Sequence, residues 1–386
     1  MRNMSAPRGT ASEGAVPRAH FRQMLTTWIE NQVKASFLLP AVLMLLFLSV
    51  FPLFVSAYLS LIRFQFVPGG FKFTFVGLAN YRKLLIGIEQ EHFLGAMANP
   101  SPLGWLVFAL VVTALAIFLT RALRSPGFSA GRWPGRILFA VVAGTMMWLA
   151  VRTLSPGGRP GTLITTLIYA FLGITVQYWL GLALAYLTSQ NLAGRRFFRV
   201  VFLLPMMITP VGIAYTFRIM ADLGKGPFAP LWRALGLAEV SWANDPWGAR
   251  IVVMIGDIWQ WTPFMFIVLL AALESQPVEL LEAAMVDGAN RWQTFWKVTW
   301  PQILPVSSTL ILIRLIEAFK IIDLPNVLTN GGPGTATESL TLHAFIAWRT
   351  LDIGGSAAVA YFLLFAVTFT AIWYINLVHR RVAETL

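Results

Sequence analysis

The chain has 386 residues, of which 57% are hydrophobic and only 12% charged, with a net charge of +12 and no cysteine. A soluble protein of this length carries about twice that charged fraction, so the composition excludes a soluble fold and points to the bilayer. The basic residues sit at the ends of apolar runs and form no stripe interleaved with aromatics, which argues against a nucleic-acid partner; without cysteine, neither disulfides nor thiol chemistry are available.

Residues 1–34 are polar and Ala/Arg-rich, and read as a mostly disordered cytoplasmic tail with a surface helix near 21–34. Apolar runs long enough to cross the hydrocarbon layer, roughly 20 residues each, follow at 37–60, 102–119, 137–151, 162–187, 200–221, 251–273, 306–323 and 355–378. The pattern predicts an all-α integral membrane protein of about eight transmembrane helices. The first run is too long, and lacks the small-residue exit, for a cleaved signal peptide. Eight spans put both termini on one side, and the Lys/Arg bias places that side in the cytoplasm. Arg121, Arg124, Arg132 and Arg136 then fall inside, as do Arg195, Arg196, Arg199, Arg291, Lys297, Arg380 and Arg381.

Residues 35–100 hold the first span and an external loop, where Gly69-Gly70 marks a tight turn among aromatics. Residues 101–160 read as an inserted transmembrane hairpin around a basic, Gly/Pro-rich loop, 120–136, that serves as lipid-facing scaffold. Residues 161–378 form the core, and 379–386 a cytoplasmic tail. Pro205 and Pro210 in the fifth span and Pro263 in the sixth each free a backbone carbonyl. Breaks of that kind beside Thr209 and Gln260 favour helices that line a path over helices that face lipid.

The polar stretch 274–305 interrupts the core. Pro277 suits the first position of a helix, Glu279 lies in its positive first turn, and Val278, Leu281 and Met285 share one face. Asp287-Gly288 is a stop signal. Asn290 caps a second short helix that runs to Lys297, before Trp300-Pro301 breaks it. The stretch therefore predicts two short helices joined by a bend at the membrane surface.

This stretch resembles the cytoplasmic coupling loop of permease subunits in binding-protein-dependent ABC importers. The family's Glu-Ala-Ala, three residues, Gly, nine residues, Ile, one residue, Leu-Pro is met by Glu282-Ala283-Ala284, Gly288, Val298 and Trp300-Pro301; Val298 replaces Ile, and Trp300 replaces Leu. The fuller Glu-Ala-Ala-Met-Val-Asp-Gly-Ala form, with Phe295 following, is similar to the carbohydrate/glycerol-phosphate, maltose-permease-like branch. Phe75-Val76-Gly77-Leu78-Ala79-Asn80-Tyr81 and Leu328-Thr329-Asn330-Gly331-Gly332-Pro333 resemble two external segments of the same family, and Gly194–Arg199 resembles its short basic inner loop. The resemblance implies an ABC type I importer permease core in a prokaryotic plasma (inner) membrane, importing a sugar, oligosaccharide or polyol by alternating access. It implies that Glu282, Ala283, Ala284, Asp287, Gly288, Ala289, Phe295 and Pro301 couple to an ATPase. The implied partners are a second permease subunit, a homodimer of ATPase subunits that holds ATP and magnesium, and an external solute-binding protein.

No catalytic or nucleotide motif occurs in the chain itself. Gly224-Lys225-Gly226 lacks the spacing and the hydroxyl residue of a phosphate loop. His20, His92, His343 and His379 stand far apart in sequence, so no metal or cofactor site is expected. Arg314, Glu317, Lys320 and Asp323 follow one another at intervals of three in the seventh span and can pair along one helix. Glu317 and Lys320, placed near mid-membrane, either neutralise each other or bind solute. Asp257, Trp259 and Gln260, with Tyr215 in the fifth span, suit a polyol ligand or, alternatively, an aromatic belt and core. Arg218 and Asp222 are expected to pair at a helix end. A secondary transporter, or a membrane-bound glycosyl or acyl transferase, is the alternative class; the second needs an acid or histidine cluster at one membrane face.

Overall fold

The computed structural model describes residues 36–124, 133–190, 192–236 and 245–383, with side chains to residue 376. The N-terminal tail and its expected surface helix lie outside the described residues, as does part of the loop 120–136. The chain divides into two units at Tyr58 and Leu59. The first holds all but the last two residues of one apolar helix, α1 (Ser36–Ser60), which is exposed along nearly its whole length.

The second unit opens with an antiparallel hairpin, β1 (Ile62–Val67) and β2 (Gly70–Phe75). Gly69 and Gly70 take positive φ in its tight turn, as glycine alone does readily. Strands were not expected here, although Phe64, Phe66, Phe71 and Phe73 recur at period two and form one aromatic face. Two short helices follow, α2 (Ala79–Leu85) and α3 (Gln90–Phe93), then β3 (Gly95–Ala96). β3 pairs with β4 (Arg159–Pro160) and closes the base of a helical hairpin, α4 (Pro102–Arg124) and α5 (Trp133–Leu154). That hairpin is the predicted insertion. Its second helix is anchored to the core: Phe139 stacks on Trp373 at 5.3 Å, and Leu149 and Val151 are buried.

The core packs around α6 (Thr162–Ser189) and α10 (Pro246–Glu274). They approach so closely at Gly181 that a Cβ there would stand 2.5 Å from the Cβ of Met265. Tyr178, Leu182, Met265, Phe266 and Leu269 of these helices join Ile303, Leu310 and Leu315 in one buried cluster. Those last three belong to α12 (Arg291–Ala318), which follows α11 (Val278–Val286). α13 (Leu340–Arg349) and α14 (Ile353–Ala383) complete the chain.

Seven described helices are long and apolar enough to span a bilayer. The expected fifth span is instead two helices, α7 (Arg195–Met207) and α8 (Pro210–Ala221), bent by 97°. A residue before proline is driven out of the helical region, and Thr209 accordingly lies at ψ 144°. Its hydroxyl then caps α8 by accepting from the Gly212 N–H, with Pro210 in the first turn, where a missing N–H costs nothing. Pro210 is thus a helix start, and the reading of it as a helix-interior break is corrected. The short helix expected from Asn290 to Lys297 also differs. The backbone passes through a π-helical turn, Phe295–Thr299, directly into the span. The Trp300 N–H bonds to Phe295 O, so the ladder changes register where Pro301 has no N–H, and the helix continues. A short ninth helix, α9 (Ala229–Ala234), lies between α8 and α10.

Candidate functional site

The polar elbow, residues 274–305, is built as its residues dictate. Pro277 is the N-cap of α11 at ψ 123°, one position earlier than expected, and Val278 begins the helix. Gly288 ends it at φ +76°, a conformation that costs an L-residue about 1–2 kcal/mol. Asn290 and Gln293 form a reciprocal capping box at the start of α12. Gln276 donates to Thr299 O at 3.1 Å and ties the two arms together. Arg199 pairs with Glu274 and donates to Thr188 O, fixing the root of the elbow to α6 and α7.

None of the residues of α11 is buried. Glu282, Ala283, Asp287 and Gly288 are exposed, with Ala284 and Ala289 half-covered. Val278, Met285 and Val286 expose apolar surface, 87% of it for Val286, and Trp292 extends this patch onto α12. Phe295 and Pro301 are half-buried at the membrane end. Phe295 meets Tyr186 edge-on at 5.5 Å, and Trp300 stacks on Trp179 at 5.6 Å with the rings 4° apart. The large ring in place of leucine therefore has a partner on α6, which the spacing of the motif did not reveal.

A second polar site lies inside the bundle. Arg314 of α12 is fully buried and pairs with Asp257 of α10. Its Nε donates to Gln177 Oε1 at 2.9 Å, and Gln177 Nε2 donates to Asp257 Oδ2 at 2.8 Å. The guanidinium lies 4.7 Å from the centre of the Trp261 ring. One residue from each of α6, α10 and α12 thus satisfies the other two. The expected charge stripe along the seventh span is corrected accordingly: Arg314 pairs across helices, because a lone charge in hydrocarbon needs a partner from the bundle interior. Only Glu317 and Lys320 pair along the chain, at 2.6 Å and exposed by 39% and 55%. Glu317 lies in the last turn of α12 and Lys320 beyond it, not at mid-span.

The six residues expected to meet solute separate into two groups. Asp257 and Gln260 are buried, and the carboxylate of Asp257 is engaged by Arg314 and Gln177. Tyr215, Trp259, Glu317 and Lys320 are exposed. Arg218 and Asp222 do not pair. Arg218 donates to Val327 O, and Asp222 accepts from the Gly224 and Lys225 N–H groups, which hold its carboxyl below the ordinary range. Sequence reasoning passed over Gln177, although an amide inside an apolar run is itself a signal.

The histidines also require a correction. Widely separated in sequence, His92 and His343 stack at 4.2 Å, and His92 Nε2 lies 3.0 Å from Glu338 Oε2. Sequence spacing is a poor guide where two helices distant in the chain meet.

The chain has known relatives. Residues 137–384 match the family described as "binding-protein-dependent transport system inner membrane component", so the match begins inside the predicted insertion and takes in α5. The trehalose/maltose transport system permease protein MalF of Thermococcus litoralis is 34% identical over 209 residues, covering 54% of this chain and 71% of that protein. The sn-glycerol-3-phosphate transport system permease protein UgpA of Yersinia pestis is 29% identical over 304 residues, covering 72% and 95%. A solved bacterial alginate ABC transporter, in complex with an alginate pentasaccharide-bound periplasmic protein, contains a chain of the same fold. It has a TM-score of 0.60 at 17% identity, over 92% of this chain and 97% of that one. On the family match, the MalF similarity and the multi-span helical fold, this chain belongs to the binding-protein-dependent transport system inner membrane components, the permease subunits of ABC importers.

Proposed function

We propose that this permease subunit imports a sugar, oligosaccharide or polyol by alternating access, driven through α11 by a separate ATPase. The single observation that carries the coupling is that no residue of α11 is buried, which leaves Val278, Met285 and Val286 open to a partner. An apolar helix face of this kind is read as an interaction site. The named relatives handle trehalose, maltose and glycerol phosphate, all polyhydroxylated, which supports a solute of that class. An ATPase homodimer holding ATP and magnesium would meet the elbow from the cytoplasm, where both termini also lie. A second permease would complete the pathway, and an external solute-binding protein would deliver the solute. Glu317 and Lys320, exposed although attached to a membrane helix, would then face the pathway and its second permease, since lipid exposure of charge is costly. Trp259 and Tyr215, both exposed, would supply aromatic surface to the same pathway. Closure of the ATPase turns the pathway outward only if its contacts with α11 differ between the two states.

The test is solute-stimulated ATPase activity of the reconstituted importer. Glu282→Lys and Gly288→Pro should each lower stimulation about tenfold, a 1.4 kcal/mol loss of coupling, while leaving complex yield intact. Full stimulation in both variants would remove α11 from the coupling pathway.

A further inference from the structure

We infer that His92, Glu338 and His343 form a binding site for a divalent first-row metal ion, zinc above all, at the end of the bundle opposite the elbow. The location follows from α6. Thr162, at its first residue, touches His343, whereas Thr188, near its last, accepts from Arg199 beside the elbow. A helix of 28 residues separates the two ends by about 42 Å.

The donor atoms of the three side chains all lie within 4.8 Å of one another. In a tetrahedral zinc site with bonds of about 2.0–2.1 Å, neighbouring donors stand about 3.3 Å apart. His92 Nε2 and Glu338 Oε2, at 3.0 Å, already match one edge of that polyhedron. The two imidazoles lie stacked, so closing the site requires one ring to turn, and His92, 28% exposed, has the room.

Two further features favour a cation over a plain ion pair. Glu338 is 3% exposed, and its Oε1 has no hydrogen-bond partner among the described residues, an arrangement that is costly for a carboxylate. Thr162 Oγ1 lies 3.3 Å from His343 Nδ1. With Nδ1–H donating to that hydroxyl, Nε2 keeps its lone pair for a metal, as in sites where an outer partner fixes the tautomer. Two imidazoles with one carboxylate suit zinc over magnesium or calcium and leave the fourth position for water. Such an ion would staple α3 to the start of α13, segments 246 residues apart.

The test uses the full-length chain, purified in detergent through an affinity tag that contains no histidine. It is titrated with Zn2+ by calorimetry and with Co2+ by absorption. One equivalent per chain should bind, with Zn2+ displacing Co2+. His92→Ala and Glu338→Gln should weaken binding at least tenfold, and Thr162→Val about tenfold. A variant lacking His20 and His379 should bind as the parent does. Substoichiometric binding by the unaltered chain overturns the site whatever the variants do, and so does undiminished binding by His92→Ala together with Glu338→Gln.

Discussion

Removing Arg314 should destabilise this protein more than any other single charge change, and removing Asp257 with it should reverse most of the damage. In Arg314→Met the side chain keeps its approximate length, but Asp257, 7% exposed, is left with Gln177 as its only side-chain donor. Breaking a buried pair by deleting one partner costs about 3–5 kcal/mol, because the other charge remains in a medium that solvates it poorly. Loss of the contact with Trp261 adds about 1 kcal/mol. The neutral Asn of the double variant Arg314→Met with Asp257→Asn can still accept from Gln177, so the penalty should shrink to about 1–2 kcal/mol. The coupling energy of the cycle is then at least about 2 kcal/mol. Denaturant titration of the purified chain, followed by tryptophan fluorescence, measures all four proteins. An Arg314→Met variant within about 1 kcal/mol of the parent, or a double variant no better than the single, would refute the reasoning.

The exposed pair should behave in the opposite way. Glu317→Gln with Lys320→Met removes a pair worth less than about 1 kcal/mol, so stability and assembly should hold while the half-saturation concentration for uptake rises at least about threefold; a normally assembled variant with unchanged uptake would remove both residues from the solute path. Lys83, which bonds Glu89 at 2.7 Å and Asp352 at 2.8 Å, gives a third expectation, for pH dependence. Burial lowers the Lys83 pKa, but the two carboxylates outweigh it and the net shift is upward. Burial raises that of Asp352, but Lys83 and the Gly355 N–H outweigh it and the net shift is downward. The clamp's contribution is therefore complete between the ordinary values of 3.8 and 10.5. It fades as pH falls through the depressed value of Asp352 or rises through the raised value of Lys83. Asp352→Asn should flatten the acid limb of a stability–pH curve and Lys83→Met the alkaline limb, each costing under about 1 kcal/mol at pH 7 because the pair is partly solvated. Unchanged limbs in both variants would contradict the assignment.

The elbow was legible because each of its signals is local. Gly288 marks the left-handed stop and Asn290 the capping box, and both depend on residues within a few positions. The spans were legible for a similar reason, since a run of apolar residues needs no partner to be recognised. Where the reading failed, the deciding contact lay far away in sequence. Arg314 appeared to belong with Glu317, three residues on, yet its partners stand 57 and 137 residues away. Trp300 appeared to be a departure from the pattern until Trp179 supplied the opposing ring. His92 and His343 could not be paired by spacing at all. The bend between α7 and α8 is a different failure, because Thr209-Pro210 did carry the signal. A pre-proline residue followed by a capped start outweighed the apolar continuity of the run.

The elbow and the buried cluster are mechanically related. α11 is strung between the end of α10 and the start of α12, and Gln276 and Thr299 hold those two ends together. α10 carries Asp257 and α12 carries Arg314. Under the proposed coupling, a displacement of α11 reaches both members of the ion pair through the helices that hold them. With both carriers moving together and Gln177 linking them to α6, the pair can persist through the stroke. A stroke that separated α10 from α12 would have to break a buried pair, at about 3–5 kcal/mol. The structure therefore favours a rigid motion of α6, α10 and α12 as one body, with the 97° bend between α7 and α8 as the place where the chain can yield.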